Sequence, residues 1–299
     1  MDAIGDLNII FIMINRQNDK QLKFKLIKIL IEIDRICDKH GLRYFLVGGS
    51  TIGAVRHNGF IPWDDDADVA LPRNDFEKFK SIVQKELGTR YRFVDNKIDS
   101  NYYYRFAKVY DEQTTIVEKE YPFYIGGVWV DIFAIDGLPN NPKEREIHLR
   151  CYESFYYKLF ELYDKEKFKW SLNPLYIYHY LRRIYYHKKY NFTYLISKCE
   201  EIAKMHAFED SEYVINFGGG YGRKEITRHE FFDNYIKFPF EGHNLRIPVG
   251  YDGYLKGIYG DYMKYPPIEK RVTNHTHYFM NLDRKCVKRE IVEFKNNLR

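Results

Sequence analysis

Residues 44–79 read YFLVGGSTIGAVRHNGFIPWDDDADVALPRNDFEKF, and this stretch decides the fold. Its apolar run at 44–47 predicts a short buried strand, which stops at the small residues Gly-Gly-Ser of 48–50. Residues 51–55 are typical of the first turns of a helix. Residues 64–71, DDDADVAL, then predict a second strand with acids at its start. Strand, glycine turn, helix and acidic strand together indicate a small mixed α/β unit.

Helical periodicity frames this unit on both sides. Apolar residues recur at helical spacing over 21–40, and Gly41 follows them as a C-terminal stop. Ser50 or Thr51 is placed to cap the helix that follows the glycine turn. The other predicted elements are helices at about 76–86, within 142–205 and from about 282, strands at 91–94, 102–110 and 128–135, and a short strand or helix at 7–14.

The composition is that of a globular protein with one large domain or two closely packed ones. The chain has 299 residues, and its 47 Lys+Arg against 42 Asp+Glu leave a net charge of +5. This mild charge, with no compact basic stripe, excludes nucleic acid as the expected partner. Tyr, Phe and Trp make up 18% of the residues, which fits ring burial and also contact with sugars or a membrane surface.

The sequence predicts a cytoplasmic protein with reduced thiols. Its four cysteines lie far apart and match no zinc-ligand spacing. No signal-peptide pattern is present, and the apolar stretch at 7–14 is too short to cross a bilayer. The aromatic and lysine-rich stretch at 155–194 adds a further expectation, peripheral contact with the inner face of the membrane.

The acidic strand carries the predicted chemistry. Side chains two apart on a strand share one face, so Asp64, Asp66 and Asp68 are expected to point the same way. Carboxylates so close repel each other unless a cation joins them, and their oxygens suit Mg²⁺ or Mn²⁺. The glycine turn upstream lets a phosphate approach the backbone at a helix N-terminus. These residues predict a metal site that binds a phosphate-bearing substrate, with a solvated acidic turn as the alternative.

A third ligand is expected from a neighbouring strand. Asp131 stands in the middle of the apolar strand at 128–135, where a buried carboxylate needs a partner that a metal can supply. Asp136 is the alternative ligand, although its place beside a Gly-Leu-Pro turn favours a turn role. The sequence favours Asp131.

A glycine turn, an Asp-x-Asp and a later lone acid resemble the nucleotidyltransferase superfold. Residues 44–79 more specifically resemble the LicD family of phosphorylcholine transferases, distantly related to fukutin-type sugar-phosphate transferases. Residues 130–139 and 240–267 also resemble blocks of that family. The resemblance implies an α+β fold, in which helices flank a nucleotidyltransferase-like mixed β-sheet core, with a helical, aromatic-rich insertion and a C-terminal segment. We expect a catalytic core at 1–142 and a substrate-binding region at 143–299 packed on it.

The resemblance also implies an enzyme. It would move a phosphorylated alcohol, with CDP-choline as the favoured donor, onto a glycan hydroxyl and release CMP. The acceptor would be a teichoic acid, capsule or lipo-oligosaccharide unit, or its lipid-linked precursor at the membrane face. By motif, Asp66, Asp68 and Asp131 would bind Mg²⁺ or Mn²⁺ and serve catalysis. The residues expected to hold the substrate are Gly48, Gly49, Ser50, Arg56, His57 and Lys108.

Some of these residues have other interpretations. Arg56 and His57, just before the acidic strand, would contact the donor phosphate or shape the pocket, or else be a surface residue and a turn histidine. Lys108 would stabilise the leaving CMP near the metals, or else be a solvated edge-strand lysine. His275 and His277 could reach the site, although two histidines in a polar turn more often have no chemical role.

Other functions stay open on the sequence alone. Nucleotidyl transfer from an NTP, with pyrophosphate as product, uses the same loop and acids, and a donor could carry glycerol or ribitol instead of choline. A glycosyltransferase or an inactive binding module fits the glycine turn and intact acids less well. The glycine run at 218–222 lacks the Lys-Ser/Thr of a P-loop, so we expect a flexible turn there. The sequence does not indicate an oligomeric state.

Overall fold

The computed structural model describes residues 3–119, 121–163, 173–273, 275 and 277–296, with side chains from residue 18 onward. Over this part of the chain the helices are α1 (Ala3–Lys39), α2 (Gly48–His57), α3 (Arg73–Leu87), α4 (Pro142–Leu162), α5 (Pro174–Lys189), α6 (Phe192–Ala203), α7 (Tyr251–Tyr259) and α8 (Lys288–Asn296). The strands are β1 (Phe45–Leu46), β2 (Asp68–Pro72), β3 (Tyr91–Val94), β4 (Ala107–Val117), β5 (Gly126–Gly137), β6 (Tyr213–Ile215), β7 (Thr227–Arg228), β8 (Tyr235–Phe240), β9 (His243–Pro248) and β10 (Phe279–Asn281). The predicted α+β class is confirmed.

The central sheet aligns one residue from each of three strands. Its strand order is β1-β2-β5-β4-β10. β2 runs parallel to β5 with Asp68 opposite Asp131, and β4 runs antiparallel to β5 with Lys108 opposite Asp131. Neighbouring strands lie roughly 5 Å apart, and residues paired across them project from the same face. The register therefore gathers these three side chains on one face of the sheet.

Helices cover both faces of this sheet. On one face, Ile33 of α1 is buried in the same apolar cluster as Val69 of β2. On the other face, Leu255 of α7 is buried with Ala70 of β2. Since successive strand residues alternate between faces, Asp68 lies on the same face as Ala70. The sheet therefore presents its acidic residues on the side of α2 and α7.

The helix after the glycine turn starts earlier than predicted. α2 begins at Gly48, with Val47 at its N-cap and no side-chain cap. The capping prediction for Ser50 and Thr51 is therefore wrong. Because the chain passes directly from β1 into the helix, both hydroxyls lie inside its first turn. Ser50 Oγ instead accepts a hydrogen bond from the backbone N–H of Asp68.

Two strands beside the site start later than predicted. β2 begins at Asp68, because the backbone N–H of Asp64 closes a turn by donating to the carbonyl oxygen of Ile61. β4 begins at Ala107, because tyrosines 102–104 pack their rings against one another instead of forming a strand ladder. The last helix also starts later, at Lys288.

The remaining predicted elements are confirmed to within a few residues. The apolar stretch at 7–14 belongs to α1, which ends just before Gly41, where φ is +62°. Residues beyond 142 contribute strands to the same sheet, since β6 pairs with β5 and β10 pairs with β4. The division at residue 142 stays a prediction. None of the described helices carries an apolar stretch long enough to cross a bilayer.

Candidate active site

Three carboxylates converge where β2 and β5 lie side by side. One oxygen from each of Asp66, Asp68 and Asp131 lies within 4.8 Å of the other two. Asp68 opens β2, Asp131 lies opposite it in β5, and Asp66 comes from the loop just before β2. Asp64 lies beside Asp66. The structure thus brings together the three residues that the sequence predicts as metal ligands, which we call the carboxylate cluster.

Burial and mutual repulsion raise the pKa of each member of the carboxylate cluster. Burial, reinforced by Asp64, raises the pKa of Asp66 to about 7. Burial, with the charges of Asp66 and Asp131, holds the pKa of Asp68 well above its ordinary value. Burial also raises the pKa of Asp131 to about 7, against the opposing charge of Lys108. Each rise disfavours the charged form, so the cluster would be stabilised by further positive charge.

Lys108 supplies a buried cation beside this cluster. Its Nζ lies 3.3 Å from Asp131 Oδ1 and 2.9 Å from Glu118 Oε1, and the residue is only 1% exposed. Burial alone would lower the pKa of Lys108, but the charges of Asp131 and Glu118 raise it, so the amine is protonated. The solvated edge-strand interpretation of Lys108 is wrong, because β4 lies between β5 and β10 and the side chain is covered.

The glycine turn lies against the acids. Gly48 has a φ of +55°, which favours glycine, and a Cβ there would lie 3.6 Å from Asp68 Oδ2. A Cβ on Gly49 would lie 2.9 Å from Asp64 Oδ2. The positive φ of Gly48 favours glycine, and a Cβ on Gly49 would crowd Asp64, so the two glycines let the N-terminus of α2 lie this close to the acids. Ser50 fixes the start of β2, because its Oγ accepts the N–H of Asp68 at 2.9 Å.

Arg56 and His57 lie at the opposite end of α2 and contact the C-terminal tail. Arg56 Nη1 donates to the carbonyl oxygen of Tyr262 at 2.6 Å, and its guanidinium stacks on the ring of Tyr265. His57 lies edge-on to Tyr265 and Trp63. Burial and the charge of Arg56 lower the pKa of His57. These contacts favour the pocket-shaping interpretation over direct contact with the donor phosphate.

Asp65 binds two histidines of the tail. Its oxygens lie 2.8 Å from His275 Nδ1 and 3.1 Å from His277 Nε2, and His275 Nε2 lies 3.6 Å from Asp66 Oδ2. Burial alone would lower the pKa of His275, but Asp65 and Asp66 raise it to about 9. Burial would raise the pKa of Asp65, but hydrogen bonds from both histidines lower it. Because 210 residues separate Asp65 from His275, no local pattern could have paired them.

Asp136, the alternative third ligand, is neutralised by an arginine. Its Oδ1 lies 2.6 Å from Arg73 Nε, and its Oδ2 lies 2.8 Å from Arg73 Nη2. The residue is only 1% exposed. Both carboxylate oxygens are therefore satisfied by one guanidinium, and Asp131 rather than Asp136 joins the carboxylate cluster.

The donor set of the carboxylate cluster fits a hard divalent cation. Mg²⁺ and Mn²⁺ prefer carboxylate oxygens, which Asp66, Asp68 and Asp131 offer on adjacent positions. Asp131 Oδ1 is at ion-pair distance from Lys108 but accepts no well-directed hydrogen bond from any described residue. A buried oxygen in this state, beside two carboxylates with raised pKa values, fits coordination of a metal ion. Asp65, Asp66 and His275 form a second possible ligand group next to it.

A cavity of about 480 Å³ lies beside the glycine run at 218–222. Tyrosine rings and Arg105 line it. Arg105 donates to the Tyr152 hydroxyl at 2.7 Å and stacks on the Tyr156 ring, with 4.3 Å to its centroid. Burial lowers the pKa of Arg105, and the neighbouring tyrosines 152, 156 and 163 raise it. No described carboxylate is among these neighbours. Among the residues that the structure describes, Arg105 is therefore a partly buried cation with no acidic partner.

The cavity adjoins the glycine turn through two aromatic rings. Tyr221, from the glycine run, packs 5.0 Å from Tyr259 of α7, centroid to centroid. The Tyr259 hydroxyl lies 3.3 Å from the position of a Cβ on Gly48. The glycine run that the sequence assigned to a turn thus forms one wall of the cavity. A lone arginine just before a strand gives no local signal, so sequence reasoning missed Arg105.

Comparison with known proteins agrees with this arrangement. Residues 41–138 match the family model described as LicD/FKTN/FKRP, nucleotidyltransferase domain. The chain is 30% identical over 261 residues to the lipopolysaccharide cholinephosphotransferase LicD of Haemophilus influenzae, covering 83% of this chain and 92% of that protein. Human ribitol 5-phosphate transferase FKRP is 32% identical over 92 residues, covering 30% of this chain and 18% of that protein. Because the Haemophilus match spans most of both proteins, the chain belongs to the LicD family.

Proposed function

We propose that this protein is a metal-dependent phosphotransferase. It moves phosphocholine from CDP-choline to a hydroxyl of a cell-surface glycan or its lipid-linked precursor and releases CMP. The register that sets Lys108, Asp131 and Asp68 side by side next to the glycine turn carries this proposal. The Haemophilus relative is named a lipopolysaccharide cholinephosphotransferase. That name supports choline as the alcohol and lipopolysaccharide as the acceptor class.

In the proposed reaction the acceptor hydroxyl attacks the phosphorus that bears choline and loses its proton to solvent, and the bond from this phosphorus to the CMP oxygen breaks. Such a transfer needs alignment and charge neutralisation more than covalent participation by the protein. Asp66, Asp68 and Asp131 would hold Mg²⁺ or Mn²⁺, which neutralises phosphate charge when bound. The N–H groups at the N-terminus of α2 would position the donor phosphates beside the carboxylate cluster.

The neighbours of the carboxylate cluster have separate tasks. Lys108 fixes Asp131 and keeps a positive charge close to the developing charge of the leaving CMP. Ser50 fixes the backbone at Asp68 through its hydroxyl. The glycines at 48–49 leave room for the donor phosphates, which the helix N-terminus attracts.

We place the acceptor in the cavity beside Arg105. Tyrosine rings offer flat apolar surfaces against which sugar rings can pack. The guanidinium, which has no acidic partner among the described residues, would attract a phosphate or carboxylate on the glycan. Because Tyr221 and Tyr259 connect the cavity with Gly48, a glycan bound there would reach towards the donor phosphates.

We assign the enzyme to the cytoplasm, at the inner face of the membrane. CDP-alcohols are made in the cytoplasm, so a donor of this kind reaches the protein there. A lipid-linked glycan precursor would be reached at the membrane surface. This assignment is testable by cell fractionation, in which we expect the protein in the cytoplasmic and loosely membrane-bound fractions.

CDP-ribitol is the second candidate donor. The FKRP relatives are named ribitol 5-phosphate transferases, although they match only 30% of this chain. The matched part has the same chemical requirement, because both donors are diphosphates that differ only in the alcohol. The alcohol therefore has to be determined by measurement.

The test varies the donor and measures the products that each donor gives. The purified protein is incubated with lipo-oligosaccharide, Mg²⁺ or Mn²⁺ and, in separate reactions, CDP-choline, CDP-ribitol, CDP-glycerol or CTP. We expect CMP and choline-labelled glycan from CDP-choline, and neither product after chelation or in the Asp66→Asn variant. Pyrophosphate from CTP would assign nucleotidyl transfer instead, and CMP only from CDP-ribitol would change the alcohol. No CMP from any CDP-alcohol, by protein that binds CDP-choline, would overturn the proposal.

A further inference from the structure

One side of α5 is apolar although it faces solvent. None of the side chains of α5 is buried. Five large apolar side chains are between 38% and 62% exposed: Leu175, Ile177, Tyr178, Leu181 and Tyr185. Steps of three or four residues connect all five along one side of the helix, with Ile177 joined to the others through Leu181. We call these five residues the α5 stripe; a contiguous exposed patch of this kind marks an interaction surface.

The opposite side of α5 attaches the helix to the protein. Tyr186 packs against the apolar cluster that contains Leu159 of α4 and Leu195 of α6. Arg182 and Arg183 form ion pairs with Glu161 of α4. The α5 stripe contributes to neither the apolar cluster nor these ion pairs. The helix is therefore anchored on one side, and no described part of the chain buries the apolar stripe on the other.

The charges of α5 indicate what kind of surface the α5 stripe would bind. Residues 174–189 contain two arginines and two lysines but no Asp or Glu. Because the arginines pair with Glu161, the exposed cations are Lys188 and Lys189 at the C-terminal end. A second copy of this helix has no acidic residue to pair with these lysines. A bilayer with anionic headgroups matches both the apolar stripe and the lysines beside it.

We propose that α5 docks on an anionic lipid bilayer. The α5 stripe enters the boundary between headgroups and acyl chains, where tyrosine is favourable because its ring is apolar and its hydroxyl stays in contact with water. Lys188 and Lys189 contact the lipid phosphates. Docking of this kind does not depend on the phosphotransferase reaction, so it can be tested whether or not the proposed function holds.

Co-sedimentation of the full chain with vesicles tests this surface. We expect binding to vesicles of phosphatidylglycerol and phosphatidylcholine, little binding to phosphatidylcholine alone, and weaker binding as salt rises. Leu181→Ser/Tyr185→Ser should lower the ratio of bound to free protein at least about tenfold. Lys188→Glu/Lys189→Glu should lower it similarly on the anionic vesicles only. Because α5 has no buried side chain, these variants should keep the wild-type circular dichroism and thermal transition.

A matched control comes from exposed apolar residues elsewhere. Ile268 is 78% exposed and Met205 is 59% exposed, and Ile268→Ser/Met205→Ser should bind vesicles like the wild type. The proposal is overturned if wild-type protein stays in the supernatant with anionic vesicles, or if the stripe variant binds as well as the wild type. It is also overturned if the wild type is a dimer that the stripe substitutions dissociate, since a second copy would then cover α5.

Discussion

Strand β5 carries two buried aspartates whose surroundings are opposite. Asp136 pairs through both oxygens with Arg73, whose third nitrogen contacts the more exposed Glu77, so the charge of Asp136 is matched by a bidentate cation. Asp131 shares Lys108 with a second acid and faces two further carboxylates. Matched charge is present near the C-terminal end of the strand, and excess negative charge is present in its middle.

This difference indicates that Asp136 has a structural role and that the carboxylate cluster is a binding site. Removing one partner of a matched buried pair leaves the other charge uncompensated, which costs about 3–5 kcal/mol of stability. Removing one acid from a repulsive cluster relieves repulsion and leaves the fold intact. We therefore expect substitutions at Asp136 to act on stability and substitutions in the carboxylate cluster to act on activity.

The largest expected effect is on turnover. Asp66→Asn or Asp68→Asn should lower the rate of CMP release by about a thousandfold or more, because each substitution removes a proposed metal ligand. The free energy of unfolding, measured by urea denaturation without metal, should stay the same or rise, because repulsion within the cluster falls. Near-wild-type turnover in both variants would show that the cluster does not bind the catalytic metal.

The matched pair should respond in the opposite way. Asp136→Asn leaves Arg73 with only the more exposed Glu77 as an acidic partner and should lower the free energy of unfolding by about 3 kcal/mol. Turnover at a temperature well below the unfolding transition should remain within a few-fold of wild type. Loss of turnover without loss of stability would contradict the comparison and would bring Asp136 into the metal site.

The sequence predicted the parts of this site that depend on local pattern. An acid inside the apolar run at 128–135 could only be a buried carboxylate, and the structure places Asp131 in the carboxylate cluster. The Asp-x-Asp spacing likewise predicted that Asp66 and Asp68 would converge, and they do so even though β2 starts only at Asp68. The glycine turn was recognisable because small residues before a helix let a phosphate approach the backbone.

The parts that the sequence missed depend on contacts between distant segments. The register that sets Lys108 opposite Asp131 is decided by the whole sheet, and a solvated lysine remained an equal interpretation until the pairing was known. The pairing of Asp65 with His275 joins the start of β2 to the tail of the chain. The starts of β2 and β4 were also predicted too early. A turn hydrogen bond before β2 and the packing of tyrosine rings before β4 delay these strands, and the pattern of apolar residues does not show either contact.

The unmatched charge also predicts how stability depends on pH. Burial raises the pKa of Asp66 and of Asp131 to about 7, whereas carboxyls of the unfolded chain ionise near pH 4. Between these values the metal-free folded protein holds protons that the unfolded chain has released. Its free energy of unfolding should therefore fall as pH rises from about 5 to about 7.5, by about 2–3 kcal/mol for each of the two groups taken alone.

Urea denaturation at both pH values measures this dependence. The contribution of the cluster is the difference between wild type and Asp66→Asn, both treated with chelator. Saturating Mg²⁺ or Mn²⁺ should reverse the trend in the wild type, because the cation binds the ionised carboxylates. If this difference in the free energy of unfolding rises with pH in the absence of metal, the raised pKa values assigned to the cluster are wrong.

The smallest expected effect concerns Arg105, a cation that has no acidic partner among the described residues. Arg105→Gln keeps a donor for Tyr152 but removes the charge, so KM for an anionic glycan acceptor should rise about tenfold, with kcat and the donor KM nearly unchanged. Arg223→Gln is the matched control, because Arg223 lines the same cavity but is paired with Glu146 and Glu153. An equal rise in acceptor KM for both variants would contradict this prediction. It would show that Arg223 binds the glycan as well as Arg105 does, although Arg223 is paired with two glutamates. A fall in kcat for Arg105→Gln alone would instead place its guanidinium near the reacting phosphate rather than in the acceptor site.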